Sequence, residues 1–149
     1  MKNIAFYILI LVSLSVRSNP LVRGTWLGYI LQNSQDEQAR LPCTFYINDD
    51  NDIGTLSGEI LISYKYKNGK DYYCKARFSG NIDYKTYEFS LVMEEYIYYD
   101  LLPEGMKWCL GTFSGNIGRE MELKQYIILA NMKTKCTDVV SQVVLVKQQ

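Results

Sequence analysis

The sequence predicts an all-β fold, an antiparallel up-and-down meander of about eight strands that closes into a barrel. Apolar and polar residues alternate with the two-residue period of strands, and no stretch has a convincing helical period. A large apolar residue, Ser-Gly, a polar residue and Ile also occur in this order three times, at 56–60, 78–82 and 113–117. Glycine inside a strand packs nothing, so its recurrence predicts a sheet that bends at matching places, as a closing barrel does. A two-sheet sandwich is the alternative.

The eight predicted strands have regular spacing. They cover residues 23–32, 41–47, 60–67, 72–79, 87–93, 107–114, 120–130 and 139–147. Residues 94–106 form the one region irregular enough to contain a turn of helix. Between the third and fourth strands we favour a three-residue loop, Lys67-Asn68-Gly69, with Gly69 left-handed. Only this loop sets Tyr64 opposite Tyr72 and keeps the two faces separate.

The residues predicted to face inward are bulky. An eight-stranded barrel is just wide enough to be filled by side chains or to hold one ligand, so residue size decides between these outcomes. The set predicts a largely filled interior with at most a pocket at one mouth. It consists of Trp26, Ile30, Phe45, Ile60, Ile62, Tyr64, Phe78, Phe89, Leu91 and Leu110.

The first residues have the pattern of a secretory signal peptide. A basic start at Lys2 precedes an apolar run over 4–12 and small residues near Ser18. The run is too short to span a bilayer, which argues against the alternative of a retained membrane anchor. We therefore predict a signal peptide at 1–18, a single barrel domain at 19–149, and Sec-type export to a secreted or periplasmic location.

Charge limits the class of partner. The chain has 16 basic and 16 acidic residues, and loss of Lys2 and Arg17 with the leader gives the mature chain a net charge of −2. A near-neutral chain without a basic cluster lacks the electrostatic footprint of a nucleic-acid or anionic-membrane binder. We expect no nucleic-acid partner and no stable membrane insertion.

Four cysteines in an exported chain predict two disulfides. Among the possible connectivities, pairing of sequence neighbours favours Cys43 with Cys74 and Cys109 with Cys136. The second pair is better supported, because one strand between Cys43 and Cys74 would place their Cα atoms about 10 Å apart, beyond the reach of a disulfide. Buried free thiols are the alternative. Zinc is not expected, since no two cysteines are closely spaced and the chain has no His.

The segment Gly24-Thr25-Trp26-Leu27-Gly28 resembles the start of calycins, the group of lipocalins, avidins and small secreted lipocalin-like barrels. In those families a Gly-x-Trp opens the first strand and its indole closes one end of the barrel. The resemblance implies a lipocalin-like β-barrel with Trp26 as the plug, and a small apolar ligand. It also implies a cation stacked on Trp26, and Lys147 could replace the usual Arg. Biotin binding is not carried over, because the chain has only two Trp residues.

Catalysis, metal binding and cofactors are not predicted. The absence of His excludes the usual triads and the commonest general base, and no nucleophile motif occurs. Glu94 and Glu95, with Asp100 or Glu104, could act as paired acids, but adjacent strand residues point to opposite faces. The acidic run over 48–52 lacks the ligand spacing of an EF-hand loop and is typical of a turn.

An excess of Tyr gives two functional hypotheses. The chain has 13 Tyr, and three of them, at 96, 98 and 99, lead into a loop over 100–106 that we interpret as a functional rim. The first hypothesis is a non-catalytic carrier of a small apolar ligand at the barrel mouth. The second is a surface interaction module, such as a secreted-enzyme inhibitor or a glycan or protein binder. The candidate ligand-binding residues are Trp26, Phe45, Ile62, Tyr64, Tyr72, Phe89, Tyr96, Tyr98 and Trp108.

Overall fold

Eight antiparallel strands form one closed up-and-down barrel, in which each strand pairs with its sequence neighbours and β1 closes on β8. The structure is a computed structural model that describes residues 21–33, 38–49, 53–122 and 124–149, so the predicted leader at 1–18 lies outside it. The all-β prediction is confirmed, and the sandwich alternative is wrong. The strands are β1 (Gly24–Asn33), β2 (Gln38–Asp49), β3 (Thr55–Lys65), β4 (Asp71–Asp83), β5 (Glu88–Tyr99), β6 (Gly111–Glu120), β7 (Gln125–Thr134) and β8 (Val140–Lys147).

The β3–β4 hairpin has the predicted register. Tyr64 lies opposite Tyr72, and Ile62 lies opposite Cys74. Gly69 has a φ of +82°, and its N–H donates to the carbonyl of Tyr66 over 2.9 Å. The three-residue loop is therefore confirmed.

The strands around the β5–β6 connection differ from the prediction. β5 runs on to Tyr99, and β6 begins only at Gly111. Two register shifts between β4 and β5, at Lys75/Ala76 and Arg77/Phe78, insert extra residues into β5. These bulges break the two-residue alternation, which is why the sequence over 94–99 looked irregular. The suggested turn of helix over 94–106 is wrong, because the residues up to Tyr99 belong to the bulged strand and those that follow form a non-helical loop.

One end of the barrel is closed by Trp26. Its indole is fully buried, and its Nε1 donates to the carbonyl of Val22 over 2.9 Å. Lys147 Nζ lies 5.9 Å from the centre of a Trp26 ring and donates to the carbonyl of Leu21 over 2.7 Å. Burial lowers the pKa of Lys147. Lys147 of β8 is thus the cation that the resemblance leads us to expect beside Trp26.

Aromatic rings fill the middle of the barrel. Phe45 lies 5.7 Å from Phe78 and 5.1 Å from Phe113 between ring centres, and all three side chains are buried. The residues predicted to face inward are buried with two exceptions, Tyr64 and Leu110, which are partly buried at the other end. The interior is therefore largely filled, as the size of these side chains predicts.

The glycines of the repeated Ser-Gly units make close backbone contacts. In each case an added Cβ would collide with a carbonyl oxygen of the neighbouring strand. Each glycine also faces large apolar residues, as Gly58 does with Phe78 and Gly80 with Leu91. The glycines of the repeat therefore allow the backbones of neighbouring strands to approach closely at positions where a side chain would collide. The distances from the added Cβ are 2.0 Å to Tyr46 O for Gly58, 1.9 Å to Ser90 O for Gly80 and 2.1 Å to Leu129 O for Gly115.

We predict that Gly115→Ala destabilises the barrel by about 1–3 kcal/mol, since the new methyl group has no space against Leu129 and Ala130. Gly118→Ala on the same strand is the matched control, because no atom lies within 4 Å of its added Cβ. Equilibrium urea unfolding measures both. Equal stability of the two variants would contradict the packing role of the repeat.

We also predict that Trp26→Ala lowers the free energy of unfolding by about 3–5 kcal/mol, because it removes the plug and leaves a cavity. Trp26→Phe should retain part of that stability by keeping a ring at the closed end. Urea unfolding followed by circular dichroism measures both variants. Trp26→Ala with the stability of the wild type would show that the indole is not a core plug.

Candidate functional site

The end of the barrel opposite Trp26 contains a cavity of about 410 Å³. An up-and-down barrel brings the last residues of β1, β3, β5 and β7 and the first residues of β2, β4, β6 and β8 to one end, and this is the end with the cavity. Inward residues of β1, β2, β3, β7 and β8 line it, including Ile30, Leu41 and Ile62. One layer deeper, Ile60 lies opposite Phe45, and the filled interior begins. The cavity is thus confined to the mouth.

The β5–β6 loop, residues 100–110, covers one side of the cavity with Leu102, Met106 and Trp108. Its first residue is held by β4, because the Tyr73 N–H donates to Asp100 Oδ2 over 2.8 Å and the Asp100 N–H donates to the Tyr73 carbonyl over 2.9 Å. Trp108 Nε1 then donates to the Asp100 carbonyl over 2.9 Å. The loop therefore folds back on its own start, which places the indole at the mouth.

A disulfide fixes the far end of the same loop. Cys109 and Cys136 are bonded, with 5.9 Å between their Cα atoms, and Cys109 lines the cavity. The Lys135 N–H also donates to the Leu110 carbonyl over 3.0 Å. The loop is thus joined covalently to the β7–β8 connection, and the mouth is bounded by anchored chain on this side.

The predicted disulfide between Cys43 and Cys74 is wrong, because both residues are free and buried. β3 lies between their strands, and Ile62 pairs with Cys43 on one side and with Cys74 on the other. Two strand spacings separate the sulfur-bearing residues, which exceeds the reach of a disulfide. Burial raises the pKa of each thiol to about 12.

Three of the nine candidate ligand-binding residues line the cavity: Ile62, Tyr64 and Trp108. Tyr72 is buried beside the cavity, opposite Tyr64. Tyr96 is half-buried, with its ring centre 5.1 Å from that of Tyr99. Burial, with Cys74 and Tyr99 nearby, raises the pKa of Tyr96 to about 12.

The other four candidates lie away from the cavity lining. Trp26, Phe45 and Phe89 are buried in the closed end and the packed interior. Tyr98 projects from the outer wall and is 47% exposed. Their size and inward direction predict correctly that the first three lie inside the barrel, but these properties do not show how far each residue lies from the mouth.

The lining contains residues that sequence reasoning did not select, among them Leu41, Met132 and Ser141. A signal for them was present. In a meander, the last inward residues of odd strands and the first inward residues of even strands meet at the same end, so Ile30 and Ile62 should have pointed to Leu41 and Ser141. Leu102 and Met106 belong to the loop that we interpreted as a functional rim.

The adjacent acids Glu94 and Glu95 are both on the outer wall. The bulges of β5 turn both side chains outward, and both are exposed. Ser79 Oγ donates to Glu94, and Arg77 Nη1 forms an ion pair with Glu95 at 2.5 Å. Neither carboxylate lies among the residues that line the cavity.

Apolar side chains are also exposed outside the mouth, next to the loop. Ile97, Tyr98 and Tyr99 are 39%, 47% and 52% exposed, and Leu101 is 83% exposed. We call Ile97, Tyr98, Tyr99 and Leu101 the tyrosine rim. It gives the surface hypothesis a physical location that is distinct from the cavity.

Comparisons with known proteins do not assign the chain to a family. No family model matches the chain, and no curated protein matches it. The closed eight-stranded antiparallel barrel is itself consistent with a calycin-like fold. Within the described ranges, no helix is long and apolar enough to cross a membrane.

We predict that Cys43 and Cys74 resist alkylation in the native protein, because a pKa of about 12 instead of 9.0 leaves about a thousandfold less thiolate at mildly alkaline pH. Unfolding in guanidinium should release two reactive thiols. A thiol assay before and after denaturation measures this. Stability should also fall as the pH rises above about 9, since the unfolded thiols ionise first.

Two outcomes would contradict this interpretation. Rapid labelling of two thiols in the native state would show that the residues are accessible. No thiol after denaturation would show that a second disulfide exists.

Proposed function

We propose that this protein is a secreted, non-catalytic carrier that binds a small, mainly apolar molecule in the cavity at the barrel mouth. The observation that carries the proposal is the cavity itself, about 410 Å³ lined mostly by apolar side chains above a filled interior. Ligand pockets are typically about 300–1,000 Å³, lined by apolar and aromatic groups with a few polar ones. The size favours one small molecule and not a long chain threaded through the barrel.

The surroundings of the cavity support a binding role. The β5–β6 loop is held by backbone hydrogen bonds to Tyr73 and by the Cys109–Cys136 disulfide, so its apolar side chains are in place before a ligand arrives. Preformed sites lose less conformational entropy on binding than sites that must order a loop. Secretion, as part of this proposal, is supported by the leader pattern and by the disulfide.

The second candidate function is a surface interaction module. The tyrosine rim favours it, because exposed Tyr and Leu side chains supply rigid contact area for a protein or glycan partner. In that case the mouth cavity would be incidental. The two functions use different residues, so substitutions can separate them.

The first test of the carrier function is native mass spectrometry of the mature protein from its own secretion host, before and after organic extraction. A carrier should release one small molecule per chain. A protein that is empty before extraction, and whose binding to a secreted partner depends on the tyrosine rim, would favour the surface module instead.

We predict that the protein binds the neutral apolar dye N-phenyl-1-naphthylamine with one-to-one stoichiometry in a fluorescence titration. Leu41→Trp should weaken binding by about tenfold or more, because a larger side chain fills the cavity that Leu41 lines. Leu129→Trp on the outer face of β7 is the matched control, since Leu129 is 59% exposed.

Thermal unfolding of both variants shows that they remain folded. Equal dye binding by Leu41→Trp and the wild type would place the dye outside the cavity and contradict the carrier function.

A further inference from the structure

The polar groups of the cavity are unevenly distributed. Thr134, Thr137 and Ser141 lie on the side formed by β7, β8 and their connection, and we call these three residues the hydroxyl wall. Ile30, Leu41 and Ile62 on β1–β3 face the cavity from elsewhere, with Leu102, Met106 and Trp108 of the loop. A ligand in this space would therefore meet hydroxyl groups on one edge and mostly apolar groups on the others.

Ser141 is the deepest polar residue of this wall. It is 6% exposed, and within the described part of the chain it is the one polar residue among the buried ones. It lies opposite Met132, which also lines the cavity. The other two hydroxyls are hydrogen-bonded to each other, with 3.2 Å between Thr134 Oγ1 and Thr137 Oγ1. Ser141 thus has the hydroxyl most suited to a ligand group.

The lining also restricts ligand charge. Among the described residues that line the cavity none is acidic, and the one cation, Lys107, is exposed. A cationic group would find no counter-charge among these residues, and an anionic group would find only the exposed Lys107, so the desolvation of a charged group would not be compensated by them. Gln32 and Tyr64 add polar groups near the ends of β1 and β3, at the opening of the cavity.

We propose that the cavity selects a neutral, largely apolar molecule that carries a hydroxyl or carbonyl group on one edge, and that Ser141 hydrogen-bonds this group. This inference rests on the proposed carrier function. A serine hydroxyl can donate or accept, so it recognises either group. A site with a buried hydroxyl discriminates against an analogue that lacks the hydrogen-bonding group, because that analogue leaves the hydroxyl unpaired.

The test compares 2-naphthol with naphthalene, a pair of probes that differ by one hydroxyl, by isothermal titration calorimetry at neutral pH. The wild type should bind 2-naphthol about tenfold more tightly than naphthalene, the effect of one hydrogen bond in a water-poor site. Ser141→Ala should bring the two affinities to within about twofold, and naphthalene should bind it at least as tightly as it binds the wild type, because the hydroxyl that naphthalene leaves unpaired is gone. Ser114→Ala, on the exposed face of β6, is the matched control.

Each result decides between the possibilities. Loss of the preference in Ser141→Ala alone supports the assignment, and naphthalene binding that is retained or tightened shows that the variant is folded. Equal affinities for both probes in the wild type would overturn the proposed selectivity but leave the carrier function intact. A preference that survives in Ser141→Ala would overturn the role of Ser141. Binding of neither probe would overturn both this inference and the carrier function.

Discussion

Closure of the sheet between β1 and β8 is the constraint on which the rest of the structure depends. Six consecutive residue pairs, from Trp26↔Lys147 to Leu31↔Gln142, join the first strand to the last. Closure leaves no free sheet edge, and it directs every second side chain of each strand into one shared interior. The plug at one end, the aromatic filling and the mouth cavity all exist because these two distant strands meet. Such long-range pairing is slow to form, since the chain must lose loop entropy before the pairing stabilises it.

Local patterns in the sequence were sufficient for most of the fold. Period-two alternation identified the strands and their inward faces, and the geometry of the Asn68-Gly69 turn set the register of one hairpin. The bulged end of β5 was not predictable in the same way. Its extra residues interrupt the alternation, and the irregular pattern resembles a loop or a helical turn.

The candidate site was harder to predict than the fold, because residue type does not show depth along a barrel. Phe45 and Ile62 are both large, apolar and inward, yet one fills the interior and the other lines the cavity. Depth depends on how far each strand is shifted against its neighbours, which only the pairings reveal. The cysteines show the same dependence. Sequence proximity suggested Cys43 with Cys74, whereas the intervening strand keeps them apart.

The two Trp residues lie at opposite ends of the barrel, so their fluorescence reports on different parts of the molecule. Trp26 is fully buried at the closed end, and Trp108 is half-buried on the loop at the mouth. The chain has no other indole. Light emitted by the first therefore depends on whether the plug is intact, and light emitted by the second depends on what occupies the mouth. A single polypeptide thus carries separate intrinsic reporters for its closed end and for its mouth.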